Sequence, residues 1–235
     1  MRIFGRVLRL ATVAILTSSL AACVTTHHRA KESLARADSK APTILVLPVD
    51  AELTELSFGG FPTPRQDWTA AAREHMNTAL RKSLDEKTIS VVFHTGDIED
   101  DSTAKIMRLH AAVGHSIMRH QYDGPEKLPT KADAFDWSLG PGVQELSRRT
   151  NADYMLVVHV RDSYSGPGRV AAQLIVAAVF GVGLQGGMQV GFASLVDLRT
   201  GQVVWFNRLL RGAGDLRTEE PARESVNALL TGLPQ

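Results

Sequence analysis

The chain has 235 residues, 44% of them hydrophobic, enough for one domain with a substantial core. Lys and Arg (26) nearly balance Asp and Glu (25), and no basic run offers a footprint for nucleic acid or holds the chain on anionic lipid by charge alone. The single cysteine excludes an intramolecular disulfide and a thiolate-built structural zinc, so packing alone must hold the domain together.

The first 23 residues carry Arg2, Arg6 and Arg9, then a mostly apolar run from Leu10 to Leu16, then Thr17-Ser18-Ser19 and Leu20-Ala21-Ala22-Cys23. A basic start, a short apolar stretch and a small-residue cleavage site make a secretory signal. The apolar run is too short for an uncleaved span, which needs about 20 residues. The stretch from Leu20 to Cys23 resembles the lipobox of bacterial lipoproteins. That resemblance implies diacylglycerol on the Cys23 sulfur, cleavage between Ala22 and Cys23, and acylation of the new amine. By the same resemblance an aspartate after the cysteine would favour inner-membrane retention, so Val24 there implies the outer membrane, with the domain facing the periplasm. Loss of the three signal arginines turns the net charge of +1 into −2, so the sequence pI of 8.0 describes only the precursor.

Residues 23–42 read as a lipidated flexible tether. Val24 to Pro42 is polar without an apolar period, and 19 residues of coil reach roughly 25 Å r.m.s.. The adjacent His27 and His28 point apart as a pair and read as solvated. Thr43–Val49 is a continuous apolar run, as in a strand buried on both faces. Asp50–Pro62 reads as a loop with Gly59, Gly60 and Pro62 as breakers. Thr63 as N-cap, Pro64 as first helical residue and Gln66 as capping-box partner predict a helix start. Its buried stripe would be Trp68, Ala72, Met76, Ala79 or Leu80, and Leu84. Ile89–His94 is a second strand.

A second helix is expected from Asp101 or Ser102 to about His120, burying Ile106, Leu109, Val113 and Ile117. His110, His115 and His120 are spaced by five, which turns each away from the next by about 140° and disfavours a shared metal. Tyr122–Asp136 is a connection from which Phe135 and Trp137 fold back. Val143–Thr150 is a short helix and Tyr154–Val160 a third strand, in which His159 reads as a core or edge residue. The 27 residues from Val170 to Val196 carry no charge. An apolar insert at about 170–187 is expected as a helix or hairpin buried against the sheet or another copy of the chain, the alternative being an element that dips into the bilayer or lines an oligomer. Its apolar core, Leu174–Leu184, spans only about 16 Å as a helix, too short to cross a membrane. Gly181, Gly183 and Gly186 match G-x-G-x-x-G, but no helix opens on the last glycine and no acid follows at the required distance. No cofactor or metal is expected.

Met188–Leu198 and Gln202–Leu210 form an antiparallel hairpin about Arg199-Thr200-Gly201. Thr218 caps a last helix with Glu219, Glu220 and Pro221 in its first turn, burying Ala222, Val226, Leu229 and Leu233. The order predicts one α/β domain over residues 43–235, with a mixed, partly parallel sheet flanked by helices and an antiparallel C-terminal hairpin.

Leu47-Pro48-Val49 ending a buried strand, Ala152-Asp153-Tyr154-Met155-Leu156 opening a later one, and Ser194 to Trp205 (SLVDLRTGQVVW), followed by a Gly-Asp loop and a helix ending in Leu233-Pro234, resemble a group of envelope lipoproteins. That group includes the curli-secretion channel subunit, a polysaccharide-export lipoprotein and an outer-membrane activator of peptidoglycan synthases. Its domain is similar to the N-terminal domain of the Tol translocation protein. The resemblance implies a non-enzymatic assembly or export accessory, held by lipid through Cys23 and partnered by envelope proteins or by itself. A tethered activator of a peptidoglycan synthase is the alternative. A hydrolase would rest on Asp50, His94, Asp97, Asp162 and Asp215, which no spacing ties into an acid/base pair. Asp197 at the turn and Trp205 against the sheet read as fold-determining.

Overall fold

The computed structural model describes residues 24–30, 42–87, 89–94, 101–123, 127–131, 134–180, 187–212 and 214–234. Ala22, Cys23, Asp97 and the glycines Gly181, Gly183 and Gly186 lie outside them. The strands are β1 (Val24–Ala30), β2 (Thr43–Val46), β3 (Asp50–Leu56), β4 (Pro62–Pro64), β5 (Ser90–Phe93), β6 (Tyr154–Ser165), β7 (Gln189–Asp197) and β8 (Val203–Arg211). The helices are α1 (Gln66–Asp85), α2 (Asp101–Ile117), α3 (Gln144–Thr150), α4 (Pro167–Phe180) and α5 (Glu219–Leu229).

The sheet runs β1-β8-β7-β6-β2-β5. Along one edge of β6, β2 pairs in parallel with Tyr154–Leu156 and β3 with His159–Ser165, so the two share one lane. The other edge of β6 pairs antiparallel with β7, and β7 with β8, giving the mixed sheet and terminal hairpin expected. α1 and α5 cover one face over Ile44, Leu156, Leu195 and Trp205. α2, α3 and the Trp137–Val143 stretch cover the other over Leu45, Met155, Phe192 and Phe206. Helices on both faces explain why the central strands are apolar throughout rather than alternating.

Several local expectations give way. Val24–Ala30, expected as coil, pairs antiparallel with β8 from Val24↔Arg211 to Ala30↔Trp205. An outer strand of Val and Thr suits a pleated edge without apolar alternation, and it satisfies backbone groups that β8 would otherwise leave open. Asp50–Leu56, expected as loop, is β3; Ala51 and Leu53 are buried between half-exposed Glu52 and Thr54, a period of two hidden by acidic residues. Thr63 and Pro64 belong to β4, and α1 starts after Arg65 with no side-chain cap; its stripe is the one expected, with Trp68 half-buried beside it. α2 buries Thr103, Ile106, Met107, His110 and Ile117, while Leu109 is 42% exposed. The stripe is rotated by one residue because Gly114 lets the helix close onto Phe192, where a Cβ would lie 2.1 Å from the ring. Thr218 precedes α5, but its hydroxyl donates to the Asp215 carbonyl rather than capping the helix.

Candidate interaction surface

β6 ends at Ser165, and the next residue, Gly166, donates its N–H to the Leu56 carbonyl (2.9 Å) at a point where a Cβ would strike Glu55 Oε1 at 2.4 Å. Pro167 then opens α4, where a missing N–H costs nothing. Of the positions expected for the insert, burial against the sheet of its own chain is not the one found: α4 turns its apolar face outward, which leaves another copy of the chain or the bilayer to cover it. Leu174, Ile175 and Val179 are 67%, 65% and 67% exposed, and Val170, Ala171 and Ala178 share their side. The two polar residues within the helix, Arg169 and Gln173, lie four apart on the half-buried side, with Gln173 Nε2 donating to Ser165 Oγ at 3.2 Å. This is the reverse of a helix packed on a soluble domain, whose apolar stripe faces the core.

A second apolar element meets it. The β3–β4 turn exposes Phe58 and Phe61 to 73% and 75%. Ser57 shapes that turn, its Oγ accepting from Phe61 N–H (3.1 Å) and its carbonyl from Gly60 N–H (2.8 Å). Gly60 has φ +83, and Arg169 Nη1 lies 3.0 Å from where its Cβ would be, so the turn sits against α4. Of the nine large apolar residues exposed among the described residues, seven gather at this end of the sheet: Phe58, Phe61, Val170, Leu174, Ile175, Val179 and Met188. Such concentration marks a contact surface, because single exposed apolar residues are ordinarily scattered.

Beneath it a buried polar chain braces the sheet. Tyr164 donates to Asp162 Oδ2 and accepts from Leu216 N–H (2.7 Å). Gln189 Nε2 donates to the same carboxylate at 2.8 Å, Ser225 Oγ donates to Gln189 Oε1 at 2.7 Å, and Arg211 donates to Ser225 Oγ and Glu224 at 2.9 and 2.7 Å. Burial pushes the Asp162 carboxyl up, against the pull of these donors, and also raises the Tyr164 phenol. The hydrogen bonds run inward from side chain to side chain, so this cluster reads as a brace.

Of the residues weighed for hydrolysis, Asp50 meets His159, with Nδ1 donating to Oδ2 at 2.9 Å, and Arg161 joins the same carboxylate at 3.0 Å. His94 and Asp215 lie elsewhere, with Asp215 paired to Arg217 at 2.7 Å. One histidine–hydroxyl pair that the sequence did not suggest is His110 Nε2 and Ser194 Oγ at 2.8 Å, and the two residues are 2% and 1% exposed. A nucleophile so placed has no path to a substrate. His115 bonds the Ala111 carbonyl within its own helix (2.7 Å). Asp197 Oδ1 accepts from the N–H groups of Arg199 and Thr200, and Trp205 is fully buried.

No family profile matches the sequence, and no curated protein does. Among solved structures, the chain is similar to the PelC dodecamer from Paraburkholderia phytofirmans, at 15% identity over 89% of this chain and 96% of that one, TM-score 0.41. It is similar to lipoprotein GNA1162 from Neisseria meningitidis at 15% identity, 81% and 95% coverage and TM-score 0.33. A third is the LpoB C-terminal domain from Salmonella enterica, at 11% identity, 74% and 85% coverage and TM-score 0.27.

Proposed function

We propose that this chain is a lipid-anchored, periplasm-facing accessory protein of the bacterial cell envelope, acting by assembly with itself or other envelope proteins in export or biogenesis rather than by catalysis. The observation that carries this reading is Leu20-Ala21-Ala22-Cys23 behind a basic start and a short apolar run. Cleavage before Cys23 and its acylation attach the domain to a leaflet, the outer membrane being favoured by Val24. The outward apolar face of α4 supports a protein that works by contact. A synthase activator on a long tether draws less support, because Val24–Ala30 pairs with β8 and removes free chain that such a reach would use.

The test is crosslinking in intact envelopes followed by pull-down, comparing wild type with Cys23→Ser, with mass spectrometry of residue 23. The reading expects an acylated cysteine and specific crosslinked partners that disappear in the variant. A free thiol at Cys23, or the same partners without the lipid, would overturn it.

A further inference from the structure

We propose that the outward face of α4 and the Phe58–Phe61 turn make a second, direct contact with the bilayer, in the same leaflet that holds acylated Cys23. The proposal rests on the acylation reading above and adds an orientation to it.

The argument starts from register. Val24 lies opposite Arg211, Arg211 opposite Gln189, Gln189 opposite Asp162, and Asp162 opposite Leu53. These five residues form one row across the sheet. Beyond it, β6 runs three residues to Ser165 and into α4, and β3 runs to Leu56 and the exposed phenylalanines. The same end of the sheet is therefore where β1 begins. Cys23 is joined to Val24 by one peptide bond, which places their Cα atoms about 3.8 Å apart. Acylation there leaves no linker between lipid and sheet. From β1 to β6 is three strand spacings, about 14 Å. A leaflet holding the acyl chains thus lies at the end that also carries α4 and the Phe58–Phe61 turn.

The surface brought to that leaflet suits it chemically. From Val170 onward α4 has no charged residue, and its outward side is Val170, Ala171, Leu174, Ile175, Ala178 and Val179. The helix spans about 21 Å, short of the roughly 30 Å hydrocarbon core, so it lies in the interface rather than crossing it. Interfacial helices sink an apolar face about 5–10 Å into the headgroup and acyl boundary. Here the polar side of the helix meets protein instead of water, and the phenylalanines extend the apolar face laterally. A second copy of the chain is the competing occupant. The bilayer is favoured because the covalent lipid brings this end to it whether or not copies assemble.

The experiment uses the whole acylated chain from Cys23 onward in vesicles of phosphatidylethanolamine and phosphatidylglycerol, after intact mass has established the acyl groups. In that protein the Cys23 sulfur is a thioether, so an environment-sensitive fluorophore can be placed on Leu174→Cys, Val179→Cys or, as the far-end control, Arg199→Cys. The control sits beyond the start of β8, about 26 Å along the strand from Arg211. Expected are blue-shifted emission at 174 and 179 and several-fold stronger quenching by nitroxide-labelled lipid than at 199. Quenching of 174 and 179 by aqueous iodide as strongly as 199 would overturn the proposal. So would shielding of both positions from lipid and aqueous quenchers alike, the result expected if a second copy covers the helix. A mass showing unmodified Cys23 fails the acylation reading itself, whereas either quenching result on acylated protein fails only the bilayer contact.

Discussion

Asp50 and His159 stand directly opposite each other where β3 and β6 pair, and His159 Nδ1 donates to Asp50 Oδ2 at 2.9 Å while Arg161 reaches the other oxygen at 3.0 Å. Burial alone would raise the Asp50 carboxyl, but the two hydrogen-bonding partners outweigh it and hold it well below its usual 3.8. A carboxyl with a depressed folded value contributes stability that is fully present above its unfolded value and lost as pH falls toward the folded one. Asp50→Asn should therefore lower stability at pH 7 by about 1–2 kcal/mol, since partly buried charge-assisted hydrogen bonds are weakened. Urea titrations should show the gap to wild type narrowing as the pH falls below 3.8.

His110 gives the opposite chemistry. Desolvation, reinforced by nearby His159, lowers its value from 6.5 to about 3, so the folded chain keeps it neutral against Ser194. The unfolded chain binds the proton that the native state refuses, so stability falls as pH drops from 6.5 toward 3. At pH 4.5 this amounts to on the order of 2–3 kcal/mol. His110→Gln, which can still bond Ser194, should lose less stability than wild type between pH 7 and pH 4.5. Equal losses by urea denaturation would remove His110 from the acid response.

Much of the architecture is legible in the sequence because it depends on signals that survive tertiary context. Thr43–Val49 and Tyr154–Val160 are too apolar for any place but the middle of a covered sheet, and Arg199-Thr200-Gly201 is a turn whose Asp197 side chain caps its backbone. What fails has a common cause: the neighbour decides. Asp50–Leu56 looks like a loop until β6 supplies a parallel partner, and Val24–Ala30 looks like a tether until β8 offers an open edge. The Arg169–Gln173 spacing does mark a polar side on α4. No sequence pattern says that this side, rather than the apolar one, meets the domain.

Gly114 shows how one missing Cβ sets a helix. An alanine there would usually favour a helix by about 1 kcal/mol. Its methyl would lie 2.1 Å from Phe192 Cε2, in the centre of the α2-side core. Gly114→Ala should destabilise by about 1–3 kcal/mol through overpacking. Phe192→Leu in the same chain should recover part of that loss, so the two changes should be non-additive in a double-mutant cycle.

The pairing of β1 predicts a pattern rather than a single energy. Alternate residues of an antiparallel strand direct their backbone N–H groups to opposite neighbours. Deleting residues 24–30 should therefore speed hydrogen exchange at every second amide of β8, leaving those directed to β7 protected. Uniform loss across β8 would mean that the hairpin needs β1 to form, and no change at all would mean that β1 does not pair in solution.

α4 separates folding from contact most cleanly. A buried leucine or isoleucine replaced by a polar residue costs several kcal/mol, through the lost transfer energy, the cavity and an unpartnered polar group. Leu174, Ile175 and Val179 are about two-thirds exposed in the folded chain, so most of that loss cannot arise from them. Leu174→Gln and Val179→Gln should shift the unfolding free energy by no more than about 0.5 kcal/mol, as surface changes do. Both should make the chain less prone to self-associate once its detergent is diluted, because the exposed apolar face shrinks. Losses of several kcal/mol in urea, with solubility unchanged, would return α4 to a position packed against the sheet, one of those the sequence allows.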